Sequence, residues 1–178
     1  MDTLDKIEKT EMIGKDFLVW LWFRSENQRG IFDIDPDLNV EIVIDGKITL
    51  ETEETKDSVS CSGPNSLMRE ARLALIENKK ITKMAIKLSL NEEDKFTFML
   101  DSRWMNYRLF RTPRVIQDFK DDPEGLFYEK ADLIEKAITV MDSVFMNFIR
   151  LRISPEWESV ELPALIEWIR GAKTLLPT

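Results

Sequence analysis

The stretch "KITKMAIKLSLNEEDKFTFML", residues 80–100, decides the fold. Its first half alternates strictly, with Met84, Ile86, Leu88 and Leu90 pointing one way and Lys83, Lys87 and Ser89 the other. A period of two marks a half-buried β-strand. Glu92, Glu93 and Asp94 interrupt the pattern, and Phe96, Phe98 and Leu100 then resume it. Strands joined by so short a turn pair antiparallel. One face of the pair is apolar, and the other carries lysine.

The sheet extends in both directions from this pair. Downstream, "DSRWMNYRLFRTPRV" (residues 101–115) supplies a further strand around Tyr107 to Arg111, which Pro113 ends. Upstream, residues 30–34 read as a short strand and "DPDLN" as a turn. "VEIVIDGKITLE" (residues 40–51) reads as a hairpin. A two-residue Asp45-Gly46 loop would set Val40, Ile42 and Ile44 opposite Glu51, Thr49 and Lys47, which wastes the apolar face. A three-residue loop, Ile44-Asp45-Gly46, with Gly46 left-handed, pairs Ile42 with Ile48 and Val40 with Leu50. The bulged hairpin is the expected form. Residues 58–62 form a strand that Gly63-Pro64 stops.

Helices surround these strands. "FLVWLWF" (residues 17–23) follows a segment in which charge alternates with Leu4, Ile7 and Ile13. Seven apolar residues in a row show no clear period, so a buried strand competes with a helix. The helix is preferred, capped by Asp16 and ended by Asn27 and Gly30. Trp20 and Trp22 are core residues in either case. After Gly63-Pro64, Asn65 or Ser66 caps a helix with Leu67, Ala71, Ala74 and Leu75 along one face. Beyond the acidic loop "DFKDDPEG" the chain is helical to its end. Asp132, Glu135, Lys136, Thr139, Asp142, Ser143, Asn147 and Arg150 make one polar stripe. The remainder of that helix is apolar and has to be buried against the sheet, another helix or a second subunit. Ser154-Pro155 breaks it, and a last helix with Leu165, Ile166, Trp168 and Ile169 ends at Gly171. The fold class is α+β: an antiparallel meandering sheet with packed helices (residues 1–115) and a helical C-terminal segment (residues 116–178) packed on it, as one compact domain overall.

Composition closes off several functions. The 178 residues are 43% hydrophobic and 33% charged, which is ordinary for a soluble globular protein. There is no histidine, and Cys61 is the only cysteine. Histidine-dependent triads, Cys–His pairs and disulfides are thereby excluded, along with nearly every zinc site. No cofactor is expected. No apolar run approaches the ~18 residues that span a bilayer. The acidic start "MDTLDKIEK" is unlike a secretory signal, so a cytoplasmic location is expected and no membrane partner.

Catalytic constellations fare no better. Asp33, Asp35, Asp37 and Asn39 resemble the start of a calcium loop, but Leu38 stands where glycine is required and Ile44 where the bidentate glutamate belongs. A solvated acidic turn is the better reading. Glu53-Glu54, Glu92-Glu93 and Asp121-Asp122 are adjacent acids on loops, whereas a two-metal site needs acids converging from different elements. The chain reads as non-catalytic.

Charge is distributed unevenly. The net charge is −8, yet residues 79–114 hold five lysines and four arginines against Glu92, Glu93, Asp94 and Asp101. That is a local excess of +5, which leaves −13 for the remainder. Lys79, Lys83 and Lys87 share a parity and should form a row spaced about 13 Å apart. Such a row could match alternate phosphates of a nucleic-acid backbone, provided the strand with Arg108 and Arg111 lies nearby. Lysine on a sheet for solubility is the competing explanation. Trp104, Tyr107 and Phe110 read as cross-strand packing rather than base-stacking platforms.

Four segments together resemble the C-terminal half of the bacterial recombination-associated RdgC family: "FLVWLWFRS" with "GIFDI"; "EARLALIENKKITKMAIKLSL"; "KFTFMLDSRWMNYRLF"; and "ADLIEKAITVMDSVFMNFIRLRISPEW". The resemblance implies an α+β fold, a ring-shaped dimer and sequence-independent DNA binding without catalysis, in a recombination-associated, nucleoid role. Carried to this sequence, it implies backbone contacts from Lys79, Lys80, Lys83, Lys87, Arg108 and Arg111, with Arg114 in the same island. The family's N-terminal half has no counterpart here, so a second subunit or a separately encoded N-terminal half is an expected partner. The other expectation is a protein-interaction or oligomerisation module. It would use the apolar helix of residues 129–152 and the final "LPALIEWI" helix, with no direct DNA contact.

Overall fold

The computed structural model describes residues 13–52, 57–63, 65–115 and 122–174; of residues 65–68 and 172–174 it describes the backbone only. In chain order the elements are α1 (Ile13–Asn27), β1 (Ile31–Asp35), β2 (Leu38–Glu51), β3 (Ser58–Ser62), α2 (Asn65–Ile76), β4 (Lys80–Leu90), β5 (Asp94–Asp101) and β6 (Asn106–Arg111). There follow α3 (Pro123–Arg152), a π-helical turn (Trp157–Glu161) and α4 (Leu162–Thr174). The strands form one six-stranded sheet in the order β1-β2-β4-β5-β6, with β3 beside β1 on the outer edge of β2. Every pairing is antiparallel, and the fold is α+β.

The pair β4 and β5 stands as its alternation dictates. Met84 faces Leu100, Ile86 faces Phe98 and Leu88 faces Phe96, and all six are buried. Residues 40–51, in contrast, do not fold back as a hairpin. They belong to one 14-residue strand, β2, with its irregularity at the expected turn. Ile44 pairs with Ile86 and Ile48 with Met84, so β2 spends four steps where β4 spends two. An excess of two preserves parity, and Val40, Ile42, Ile48 and Leu50 all stay on the buried face. A hairpin would have paired these residues only with one another. The long strand gives them β4 on one side, with β1 and β3 on the other. Gly46 is left-handed as expected (φ +64), but it shapes a bulge whose carbonyl accepts from the Gly63 N–H at 2.8 Å.

α1 explains why "FLVWLWF" has no period. Every residue from Asp16 to Phe23 is buried, because α1 rests on β2 and β4 and is covered by α3 and α4. Phe17 meets Phe145 and Phe148 at 5.0 and 5.5 Å, and Trp20 meets Phe32 and Phe148 at 6.0 and 5.2 Å. Trp22 and Phe23 meet Trp168 at 4.9 and 5.7 Å. A helix packed on all sides has no polar face to reveal its pitch. Asp16 is not its cap. The helix already runs at Ile13, and Asp16 is buried within the first turn. The segment before Ile13, with Leu4 and Ile7, lies outside the described residues.

The C-terminal helices depart from expectation at their ends. α3 starts inside the presumed loop: Asp122 accepts from the Gly125 N–H at 2.8 Å and Pro123 opens the first turn, an N-terminal signature that was present in "DDPEG". α4 continues past Gly171 to Thr174. Between them, the π-helical turn brings buried Glu161 under Trp20, whose Nε1 donates to it at 2.8 Å, while Arg24 Nε lies 3.4 Å away. A single apolar cluster joins the sheet's inner face to α1, α2, α3 and α4, so both halves of the chain share one core.

Gly30 is a tight joint between α1 and the sheet. Its φ is +74, its carbonyl accepts from the Ile42 N–H at 2.7 Å, and a methyl added there would overlap the Ile42 carbonyl oxygen. Gly30→Ala is therefore expected to cost about 2 kcal/mol, combining a left-handed penalty with displaced backbone. Urea unfolding should show a lower midpoint at an unchanged slope. An unchanged midpoint would mean that the chain leaves α1 by another route.

Candidate functional site

All four helices join the core cluster with one face of the sheet, so among the described residues the opposite face carries no helix. The side chains on that open face follow from the register. Val43, Lys87, Thr97 and Arg111 form one cross-strand row, in which Lys87 and Arg111 flank Thr97. Adjacent strands lie about 4.8 Å apart, so their Cα atoms are separated by about 10 Å. The next row holds Ala85, Met99 and Arg108, and the one after it Thr49, Lys83, Asp101 and Asn106. In the other direction Glu41, Ser89 and Lys95 form a row. Lys83, Lys87, Arg108 and Arg111 thus share one face. The lysine strand and the arginine strand are both next to β5.

Two bulges set this arrangement. Thr49 pairs with Lys83 but Leu50 with Ile81, so Thr82 is an extra residue on β4. It shifts the parity of everything before it. The expected row of Lys79, Lys83 and Lys87 therefore does not form. Lys79 precedes the strand, 3.9 Å from Glu77. Lys80 pairs in register with Glu51 but is only 7% exposed, and its charge acts on buried Asp16. Lys80 is thus buried, and Lys79 lies off the row. On β6 the extra residue is Leu109 (φ 54), because Thr97 pairs with Arg111 and Met99 with Arg108. Without it, Arg108 and Arg111 would face opposite sides; with it, both face outward.

The cations of the open face differ in how far they are already neutralised. Arg108 Nη2 lies 3.6 Å from the buried carboxylate of Asp101. Arg103, in the turn after β5, is bonded to Glu51. Lys83, Lys87, Lys95 and Arg111 have no ion pair among the described residues, and nor does exposed Arg114 beyond the end of β6. Lys95 was missed by the sequence reading, although the inward alternation of Phe96, Phe98 and Leu100 already implied that Lys95 faces out.

The aromatic residues divide. Phe110 stacks on Phe98 at 5.0 Å and 11°, and Tyr107 meets the same ring edge-on at 5.3 Å, which is the expected cross-strand packing on the inner face. Burial pushes the Tyr107 phenol up to about 12, and the charge of Asp142 adds to the shift. Trp104 does not follow them. It is 77% exposed in the turn between β5 and β6.

The other candidate features carry less. The turn with Asp35 and Asp37 is an exposed acidic turn, closed by the Asp37 N–H on Asp35 at 2.9 Å. Among the described residues no cluster of three acids or cysteine could hold a metal ion, and Glu53, Glu54 and Asp121 lie outside them. Cys61 is buried, and that burial raises its thiol pKa, with Glu70 adding to the rise. The apolar faces of α3 and α4, the surfaces expected for a partner, are occupied by this chain's own core, where Val144, Phe148, Leu165 and Ile169 are buried. Among the described residues no helix is long and apolar enough to cross a membrane. No protein-family model, curated protein or solved structure matches the chain.

Proposed function

We propose that the protein is a non-catalytic, sequence-independent DNA-binding protein that holds the sugar-phosphate backbone on the open face of its sheet. This is the activity that the resemblance to the RdgC family implies. The observation that supports it is the placement of Lys83, Lys87 and Arg111 on one face, Lys87 and Arg111 in one row and Lys83 two rows along, with no ion pair to any of them among the described residues. Unpaired cations on a fixed scaffold release counterions when they meet phosphates, and this term dominates non-specific binding. The acidic balance elsewhere opposes association: with a net charge of −8, the rest of the surface repels a polyanion, so the contact is confined to this face. A second subunit or a separately encoded N-terminal half would extend the contact, and binding of this kind would keep the protein on the nucleoid.

The test is fluorescence anisotropy with a labelled DNA duplex over a range of salt concentrations. Binding is expected at low salt and should weaken steeply as salt rises. The triple variant Lys83→Glu, Lys87→Glu, Arg111→Glu should lose at least tenfold in affinity and show a shallower salt slope. These side chains point away from the core, so the fold should be retained, with an unchanged urea midpoint as control. The reading is overturned by no binding at low salt, or by a triple variant that binds like the parent.

A further inference from the structure

Trp104 is the one tryptophan without a partner among the described residues. Trp20, Trp22 and Trp157 are buried, and Trp168 packs on Trp22 and Phe23. Among the described residues Trp104 meets no other ring, and its neighbours explain why it stays outside. Ser102 anchors the turn to β4, with its N–H on the Thr82 carbonyl at 2.8 Å and its hydroxyl on the Ile81 carbonyl at 3.2 Å. The Arg103 N–H is held by Asp101 at 3.1 Å, and the Arg103 side chain by Glu51. Met105, left-handed at φ 50, lies against Gly14 of α1. With Ser102, Arg103 and Met105 all anchored, Trp104 is left at the apex of a pinned turn. The turn lies immediately beyond the row that ends in Lys83, Asp101 and Asn106.

We propose that the open face takes single-stranded DNA, with the Trp104 indole as a stacking platform for one of its bases. The inference rests on the DNA-binding reading above and specifies its ligand. A duplex keeps its bases stacked inside and offers an exposed indole nothing but backbone, whereas a single strand presents base faces. Aromatic side chains beside a cationic groove are the usual means of holding such strands without reading their sequence. Because the turn is fixed before the strand arrives, little side-chain or loop order is lost on stacking. Lys83 pairs directly with Asp101, the last residue of β5 before the turn, so a strand crossing Lys87 and Arg111 toward Lys83 continues to Trp104.

The experiment compares three probes at one salt concentration: an oligothymidylate of about 15 nucleotides, an abasic deoxyribose-phosphate oligomer of the same length, and the corresponding duplex. The oligothymidylate should bind about tenfold more tightly than the abasic oligomer and quench tryptophan emission. Trp104→Ala should remove that tenfold preference and the quenching, leaving affinity for the abasic oligomer and the duplex as it was. Trp104→Phe should restore part of the preference. Equal affinity for the oligothymidylate and the abasic oligomer, or a preference that survives Trp104→Ala, overturns the inference. If both oligomers still bind and lose affinity with Lys83→Glu and Lys87→Glu, the backbone-binding reading stands without it. If no probe binds, both fall.

Discussion

Trp22→Ala is expected to lower stability by about 4 kcal/mol, the largest single loss in the described core. Trp22 is fully buried in the middle of α1. Its ring meets Trp168 of α4 edge-on at 4.9 Å, and its Nε1 donates to Glu26 at 2.7 Å. Glu26 also accepts from Trp168 Nε1 at 2.9 Å and lies 3.9 Å from Arg72 of α2. The indole therefore connects three helices, and truncation opens a large cavity while removing one donor from a shared carboxylate. Trp22→Phe should cost distinctly less, about 2 kcal/mol, because a ring still fills most of the space. Urea denaturation distinguishes the two through their midpoints. If alanine cost no more than phenylalanine, α4 would have to close over the gap, which its contacts with the π-helical turn and α2 oppose.

The sequence showed most clearly those elements that have two unlike faces. β4 and β5 alternate because one side meets helices and the other does not, and both strands stand where the alternation puts them. β2 was harder. Asp45-Gly46 is good turn chemistry, and Gly46 does adopt the turn-like φ, but nothing local reveals that β4 offers a partner long enough to keep the strand straight through it. Tertiary pairing overrode a local signal. The candidate site was legible in the same partial way. Lys83, Lys87 and Lys95 can be assigned to a face by counting in twos, but the counting stops at a bulge. Thr82 moves Lys79 and Lys80 off the row, and Leu109 brings Arg108 and Arg111 onto one side. Bulges have no fixed residue code, so an outward and an inward reading of Arg108 were equally consistent with the sequence. Trp104 failed for a related reason. It was grouped with Tyr107 and Phe110 as cross-strand packing, whereas it sits in a tight turn whose anchors, Ser102 and Met105, are distant from their partners in sequence.

Stability is expected to fall as pH rises from about 4 to 7 by about 3 kcal/mol more in the parent chain than in Asp16→Asn. Asp16 is 7% exposed in the first turn of α1, where burial raises its pKa from 3.8 to about 6. Two cations oppose that rise. Arg152, at the end of α3, has Nη2 3.9 Å from the carboxylate and its guanidinium over the Trp157 ring at 4.6 Å; the second is buried Lys80. Their pull is smaller than the cost of dehydrating the charge, so the net shift is upward. Between the unfolded pKa of 3.8 and the folded value of about 6, the folded chain holds a proton that the unfolded chain has released. Unfolding then releases a proton, and raising the pH favours it by up to about 1.4 kcal/mol per pH unit. The asparagine variant has no such proton, while every other titrating group is common to both proteins, so the difference between the two isolates Asp16. Denaturant titrations at several pH values should show that difference changing through the window and levelling off above pH 6. A difference that stays flat would mean that Arg152 and Lys80 hold the carboxylate ionised throughout, with attraction outweighing burial at this joint between α1 and α3. A difference that changes as expected means that the cost of burying the Asp16 charge outweighs the pull of Arg152 and Lys80 at this joint.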